Sequence, residues 1–181
     1  EPYRRQRQMC IRDSNEFDAP APESLYGKSK LAGEEFVRTL CHRYLIVRSA
    51  WVYGIGRDFV STVLNAAADP TCPWLAVPTD RFASPTSADD LTAAVEQLID
   101  HDTLGIYHIV CQGRCSRYDF AQAILKAAHM EDKLELHPIR AADAGGTPSY
   151  TVLDNLMLRL DNLPQPRPWK EALNEYINSL Q

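Results

Sequence analysis

Residues 24–47 read SLYGKSKLAGEEFVRTLCHRYLIV, and this stretch decides the class of fold. From Ser24 to Leu40 the chain contains no proline and places apolar residues at a helical spacing, which predicts a helix. From Tyr44 to Val47 it is a short continuous apolar run, typical of a strand buried in a parallel sheet. A helix followed so closely by such a strand indicates part of a βαβ unit.

The same alternation continues through the rest of the chain. The run Ser87-Ala88-Asp89-Asp90 is typical of a helix start. The serine side chain can accept hydrogen bonds from amides of the first turn, and the acidic side chains are stabilised by the positive end of the helix dipole. Strands alternating with helices of this length predict an α/β fold with a mostly parallel sheet. Helices are predicted over residues 58–68, 87–99, 116–129 and 168–180, and strands over residues 74–77, 105–110 and 134–139.

Composition excludes several classes of protein. With 181 residues and 45% hydrophobic content, the chain can bury the core of one domain or one and a half. A formal net charge of −5 argues against a nucleic-acid-binding surface, which needs clustered lysine and arginine. No apolar run approaches the roughly 20 residues that cross a bilayer, and no secretory leader is recognisable. We therefore expect a cytoplasmic protein with neither a membrane nor a nucleic acid as its partner.

Five scattered cysteines, an odd number, predict buried thiols and not a disulfide framework. His108, Cys111 and Cys115 stand close together in sequence, which raises the question of a metal site. No second ligand pair follows at a zinc-like interval, so no metal is expected there. The cysteines are Cys10, Cys41, Cys72, Cys111 and Cys115.

One segment does not fit the rest of the chain. From Arg4 to Ser14 the sequence reads RRQRQMCIRDS, with neither a helical nor a strand period and with four arginines in an otherwise acidic chain. It resembles a translated sequencing-library adapter; a disordered basic arm is the alternative. We expect residues 1–14 to be non-native or disordered and residues 15–181 to form the folded part.

Tyr26 and Lys30 are the candidate catalytic pair. Residues four apart share one face of a helix, so both side chains can point into the same space. A phenol is a poor acid–base group at neutral pH unless a nearby positive charge stabilises its phenolate. A tyrosine tuned in this way can give a proton to a carbonyl oxygen as a hydride reaches the carbon. By itself the spacing favours a half-buried tyrosine beside a solvated lysine over a catalytic pair.

Further motifs add context to this pair. Residues 26–34 resemble the active-site helix of dTDP-4-dehydrorhamnose reductases, a family of extended short-chain dehydrogenases, and the resemblance continues in the family's order from residue 15 onward. It implies an incomplete Rossmann-like parallel sheet interleaved with a smaller substrate-binding region. The other matching stretches are Val47–Gly54, Asp58–Val60, Asp80–Thr86, Gly105–His108, Ser149–Asp154 and Trp169–Leu173.

The resemblance also implies roles for the matched residues. Tyr26 would donate a proton to the 4-keto oxygen of a dTDP-4-dehydro-6-deoxy-hexose, assisted by Lys30. Together with Ser49, both would contact the cofactor, NADPH or NADH, which carries the hydride. The residues expected to bind the nucleotide-sugar substrate are Trp51, Phe59, Val60 and Arg81, with core packing as the alternative for the first three.

Some features depart from the family pattern. The family pattern usually has glutamine at position 81, glycine at position 83 and asparagine at position 58, where this chain has Arg81, Ala83 and Asp58. These differences leave the exact nucleotide and sugar undecided. The glycine fingerprint of a dinucleotide-binding fold and the third catalytic residue do not precede Tyr26. We therefore expect the C-terminal part of a reductase, without activity by itself; a homodimer is one assembly open to the full-length parent.

Two other functions stay open at this point. Nucleotide-sugar epimerases and dehydratases share the Tyr-x3-Lys helix but typically carry asparagine before Val-Tyr-Gly, so Trp51 favours the reductase. A non-catalytic binding subunit, like the regulatory subunit of methionine adenosyltransferase, shares the helix but lacks Trp-Val-Tyr-Gly. An accidental match on a plain α/β domain is the third reading.

Overall fold

The structure is a computed structural model that describes residues 13–22, 24–146 and 149–180. Its helices are α1 (Leu25–Leu40), α2 (Phe59–Ala68), α3 (Ala88–Asp100), α4 (Arg117–Ala127), α5 (Leu156–Leu160) and α6 (Trp169–Ser179), with a 3-10 helix over Ala141–Ala144. Its strands are β1 (Leu45–Arg48), β2 (Val52–Tyr53), β3 (Trp74–Pro78), β4 (Arg81–Ala83), β5 (Thr86–Ser87), β6 (Gly105–His108), β7 (Cys115–Ser116), β8 (Glu135–Ile139) and β9 (Ser149–Thr151).

Parallel pairing dominates the described strands, as the alternation predicts. β1 pairs with β6, β2 with β5 and β3 with β8, all in parallel. β4 lies between β9, which is parallel to it, and β7, which is antiparallel. The α/β class is thus confirmed, although the strands form small separate sheets. The register of β1 on β6 sets Arg48 beside His108, so the carboxyl ends of both strands meet.

Helix starts follow the capping signals in the sequence. Ser24 caps α1, where its Oγ accepts a hydrogen bond from the Gly27 N–H at 3.0 Å. Asp58 caps α2, Ser87 caps α3 and Ser116 caps α4, each through its side chain. Such caps satisfy amide groups that lack a partner within the helix. The predicted helix starts are therefore correct to within one residue.

Two apolar clusters form the core. The larger one joins α2, α4 and α6 to β2 and β3, and Phe120 lies at its centre, 1% exposed. The smaller one packs α3 and α5 against β6. Burial of these side chains is the main favourable contribution to folding. Fully buried members of the larger cluster include Val60, Val63, Phe120, Ile124, Leu173 and Ile177.

Helix α1 differs from the other long helices because none of its residues is buried. Its apolar residues have the predicted helical spacing, yet Phe36 is 67% and Leu40 76% exposed. The described residues therefore leave the apolar face of α1 uncovered. Leu180, just beyond the end of α6, is likewise exposed, at 55%.

Part of the aberrant N-terminal segment lies outside the described residues, which begin at Asp13. Ser14 bridges to Leu153, its N–H donating to the Val152 carbonyl at 3.0 Å. Asp13 accepts a hydrogen bond from the Tyr150 hydroxyl at 2.8 Å. That residues 1–14 are non-native or disordered stays a prediction.

The thiols are only partly as expected. Cys111 and Cys115 are buried, but Cys41 is exposed and Cys72 is half-buried. Within the described ranges no group of three or more histidine, cysteine or acidic side chains is placed to hold a metal ion. Over the same ranges no helix is long and apolar enough to cross a membrane, and the cytoplasmic location stays a prediction.

Candidate functional site

Tyr26 and Lys30 lie on one face of α1, as their spacing predicts, and both are exposed. The Lys30 ammonium nitrogen lies 5.4 Å from the centre of the Tyr26 ring, and Tyr26 is 72% exposed. Gly27 allows the preceding loop to approach, because a Cβ at this position would lie 2.8 Å from the Pro22 Cβ. The pair is therefore formed at the start of α1 and open to a ligand.

An ion pair connects α1 to the sheet. Arg48, the last residue of β1, donates to both carboxylate oxygens of Glu34 at 2.9 and 2.5 Å. Glu34 lies one turn beyond Lys30 and on the same face of α1. This bidentate contact places the Tyr26–Lys30 face next to the carboxyl end of β1.

Ser49 follows at this carboxyl end. Its hydroxyl is buried, and no described residue forms a hydrogen bond with it. Buried hydroxyl groups normally have a partner, so an unsatisfied one at the strand end that Arg48 joins to α1 fits the polar part of a bound cofactor. Tyr26, Lys30 and Ser49 could therefore hold the nicotinamide end of NADPH or NADH, and a glycine-rich cradle for its phosphates is absent from the described residues.

Trp51 adopts an unusual backbone conformation. Its φ of 43° lies in the left-handed region, which a bulky side chain rarely occupies. The conformation is held by the Thr86 N–H, which donates to the Trp51 carbonyl at 3.2 Å, and by stacking on Phe120 with ring centres 6.3 Å apart. Strain of this kind concentrates at functional sites.

Arg117 is a site residue that sequence reasoning missed. Its guanidinium carbon lies 3.8 Å from the centre of the Trp51 ring and 4.4 Å from that of Phe59. Burial, and then repulsion from Arg81, lowers the pKa of Arg117 to about 10. In the sequence Arg117 is a single arginine directly after a helix-capping serine. Arginines in such positions are usually solvated, so the local sequence gives no sign that this one is partly buried.

The remaining predicted substrate residues separate into two groups. Phe59 and Arg81 are half-buried: Arg117 contacts the ring of Phe59, and the charge of Arg81 acts on Arg117. Val60 has no exposed surface and packs in the larger core cluster. The structure thus brings Trp51 and Phe59 together around Arg117 and places Val60 in the core.

The loop between Trp51 and α2 is fixed at both ends. Asp58 caps α2 and accepts a hydrogen bond from the Gly54 N–H at 2.8 Å. The Tyr176 hydroxyl of α6 donates to the Gly54 carbonyl at 2.6 Å. Asp58, one of the departures from the family pattern, therefore has a structural role in this chain.

A buried polar cluster lies below the site, where β1 and β6 end. Glu16 accepts hydrogen bonds from the N–H groups of His108 at 2.9 Å and Met157 at 3.2 Å. Burial lowers the pKa of His108 below its ordinary value. Glu16 thus fastens the segment preceding α1 to β6 and α5.

Comparison with known proteins gives consistent results. The family model described as the RmlD substrate binding domain matches residues 11–181. The spore coat polysaccharide biosynthesis protein SpsK of Bacillus subtilis is 38% identical over 164 residues, which cover 90% of this chain and 56% of SpsK.

Two solved structures are similar along most of the chain. A dTDP-4-dehydrorhamnose reductase from Clostridium acetobutylicum is 40% identical with a TM-score of 0.89, and the match covers 94% of this chain and 60% of that one. A dTDP-4-dehydrorhamnose reductase from Bacillus anthracis in complex with NADP is 34% identical with a TM-score of 0.87, covering 92% and 59%. This chain therefore spans little more than half the length of the proteins it matches.

Proposed function

Because the chain belongs to the RmlD substrate binding domain family, we propose that it forms the substrate-binding and proton-donating part of a dTDP-4-dehydrorhamnose reductase. The substrate would be a dTDP-4-dehydro-6-deoxy-hexose, and the reaction a step of dTDP-rhamnose biosynthesis. The observation that carries this proposal is the exposed Tyr26–Lys30 pair, which the Glu34–Arg48 contact joins to the strand leading to Trp51.

In this proposal α1 supplies the acid. The Tyr26 hydroxyl donates its proton to the 4-keto oxygen of the sugar, and the positive charge of Lys30 stabilises the phenolate that is left. NADPH or NADH, when bound, supplies the hydride. Lys30 and the Ser49 hydroxyl would hold the nicotinamide end in place.

The aromatic residues would position the sugar. An aromatic face packs well against the apolar side of a hexose. Trp51 can offer such a face, because it lies three residues after Arg48, whose contact with Glu34 joins this part of the chain to α1. Arg117 of α4 contacts the Trp51 ring, and the same guanidinium contacts the ring of Phe59 on α2. Immobilising both the proton donor and the sugar is the main rate advantage that such a site can offer.

A chimaeric protein tests the proposal. Residues 15–181 would be joined to the N-terminal part of the C. acetobutylicum reductase that this chain does not match. We expect it to oxidise NADPH in the presence of dTDP-4-dehydrorhamnose, and the Tyr26→Phe chimaera to lose at least about a hundredfold in kcat with little change in KM. The 181-residue chain alone should show no turnover.

Other outcomes separate the competing functions. A chimaera that binds the nucleotide sugar but never oxidises NADPH would support a non-catalytic binding subunit. Interconversion of sugar epimers, or loss of water from a dTDP-hexose without net NADPH oxidation, would support an epimerase or dehydratase. Either result would contradict the reductase.

A further inference from the structure

A groove between α4 and α6 shares no lining residue with the proposed reductase site. It has a volume of about 760 Å³, a size typical of pockets that hold small molecules. Its lining runs from Asp119 to Ala127 on α4 and from Trp169 to Asn178 on α6. With a rise of about 1.5 Å per residue, the groove extends roughly 12 Å along α4. Its shape therefore suits an elongated ligand.

The groove carries positive charge, although the chain as a whole has a formal net charge of −5. Among its described lining residues Asp119 is the one acid, and its carboxylate accepts hydrogen bonds from the N–H and the hydroxyl of Ser116 at 3.1 and 2.7 Å. The cationic side chains of the lining are Arg114, Lys126, Lys170 and, when protonated, His129. A cleft lined by charges of one sign attracts ligands of the opposite sign.

These cations lie toward the two ends of the groove. Arg114 and Lys170 lie near the starts of α4 and α6, which a parallel bridge between the preceding segments holds together. Lys126 and His129 lie at the other end of α4, about 10 Å further along its axis. Arg114 also contacts Asp13 at 3.4 Å, an exposed pair that a competing anion can displace at little cost. Two separated positive ends match a ligand with two separated anionic groups.

His129 enters the groove lining from a strained backbone. Its φ of 54° lies in the left-handed region, at a helix end where the Met130 N–H donates to the Leu125 carbonyl at 2.9 Å. Glycine is the usual residue at such a position, because a Cβ is unfavourable there. Strain of this kind concentrates at functional sites, so a histidine at this position indicates a role for its ring in the groove.

The middle of the groove is suited to hydroxyl groups and not to a nucleotide base. Carboxamide side chains line it, and each can both donate and accept hydrogen bonds. They belong to Gln122, Asn174 and Asn178. Trp169, the one aromatic ring other than His129 among the described lining residues, is 5% exposed and therefore offers no open face on which a base could stack.

We propose that the groove between α4 and α6 binds a sugar bisphosphate. One phosphate lies between Arg114 and Lys170, the other lies beside Lys126 and His129, and the sugar hydroxyls bind the carboxamides between them. Ammonium and guanidinium groups form charge-assisted hydrogen bonds with phosphate oxygens, and the flexible lysine side chains adjust to the length of the ligand. This site does not depend on hydride transfer, so it stands apart from the proposed reductase function.

Calorimetric titration of the 181-residue chain tests the site. The probes are fructose 1,6-bisphosphate, fructose 6-phosphate and inorganic phosphate, all at one ionic strength. We expect the bisphosphate to bind at least about tenfold more tightly than fructose 6-phosphate, because the second phosphate adds charge-assisted contacts. Lys126→Gln and Lys170→Gln should each weaken bisphosphate binding about tenfold and fructose 6-phosphate binding less.

Lys133→Gln is the matched control. Lys133 is an exposed lysine shortly after α4, outside the groove lining, so its replacement removes the same charge without touching the site. Bisphosphate affinity should be unchanged in this variant. All three substituted lysines are exposed, so the variants should melt close to the wild type without ligand. The bisphosphate should raise the melting temperature of the wild type and of Lys133→Gln, and much less that of the Lys126→Gln/Lys170→Gln double variant.

Several results would overturn the proposal. They are an absence of bisphosphate binding by the wild type, an unchanged affinity in both groove variants, an equal loss in Lys133→Gln, or inorganic phosphate binding as tightly as the bisphosphate. The last two would show attraction of anions by charge alone. An inactive chimaera whose bisphosphate affinity depends on Lys126 and Lys170 would refute the reductase and leave this site standing, and an active chimaera without bisphosphate binding would do the reverse.

Discussion

Arg48 at the end of β1 donates hydrogen bonds to both carboxylate oxygens of Glu34 on α1, and both side chains are about four-fifths shielded from solvent. Because α1 buries none of its own residues, apolar packing within the described chain contributes little to its position. The ion pair between Arg48 and Glu34 therefore fixes the orientation of the helix that carries Tyr26 and Lys30.

Removing Glu34 should loosen α1. We expect Glu34→Ala to cost about 1–3 kcal/mol, because it leaves the Arg48 guanidinium without its partner in a partly shielded position. Urea unfolding would measure the loss, and hydrogen exchange should become faster in the amides of α1. Asp102→Asn breaks the exposed pair with Arg43 and serves as the control, with no measurable effect expected. Equal effects of the two changes would contradict the special role of Glu34.

Lys30 should matter for catalysis and its neighbour Lys28 should not. In the chimaera we expect Lys30→Met to lower kcat at least about a hundredfold, since the phenolate of Tyr26 loses the charge that stabilises it. Lys28→Met removes the same charge from the same helix, but position 28 points away from the Tyr26–Lys30 face. Steady-state kinetics compare the two, and similar losses would show that only the net charge of α1 counts.

Phe120 is the packing centre of the site. Its ring lies 5.8 Å from that of Phe59 and 5.7 Å from those of Tyr53 and Trp169, all measured between centres. We expect Phe120→Ala to cost about 3–5 kcal/mol through the cavity it leaves. Phe36→Ala, at an exposed position of α1, should change the unfolding free energy far less. Comparable losses in urea unfolding would argue against the described core.

Burial of His108 makes the fold sensitive to acid. Its folded pKa lies below the ordinary value of 6.5, so below that pH the unfolded chain binds more protons than the folded one. The stabilising contribution of the neutral ring is complete above pH 6.5 and is progressively lost as the pH falls below it. The charge of Glu16 and hydrogen bonding to the backbone of Ser14 and Asp154 raise the pKa of His108, and the charge of Arg48 lowers it, but burial decides the direction of the shift.

His108→Asn should therefore lose less stability than the wild type when the pH is lowered from about 7.5 to about 5.5. Urea unfolding at the two pH values measures the difference. His129 is exposed, and its left-handed backbone suits asparagine, so His129→Asn is the matched control and should behave like the wild type. An identical pH dependence in His108→Asn would contradict the assignment.

Local signals in the sequence predicted the long elements well. Capping residues and apolar spacing placed α1, α2, α3, α4 and α6, because these signals act within a few residues along the chain. The strands of two or three residues were missed, since so short a segment has no period to detect. The resemblance to dTDP-4-dehydrorhamnose reductases, read from ordered motifs, is confirmed by the family match.

The site was only partly predictable. Tyr26 and Lys30 share a face because helix geometry alone requires it, so their pairing could be read from the spacing. The sequence could not show that Val60 is a core residue whereas Phe59 is only half-buried. The packing of α2 against α4 decides which of these two neighbours is buried.

The helical Tyr26–Lys30 face, the order of the elements and the family could all be inferred from the sequence, since they depend on near neighbours and ordered motifs. The contacts of Glu34 with Arg48 and of Arg117 with Trp51 become visible only in the folded protein. Contacts of this kind form when segments distant in sequence pack together. The residues next to a charged side chain in the sequence do not show which distant residue it will contact.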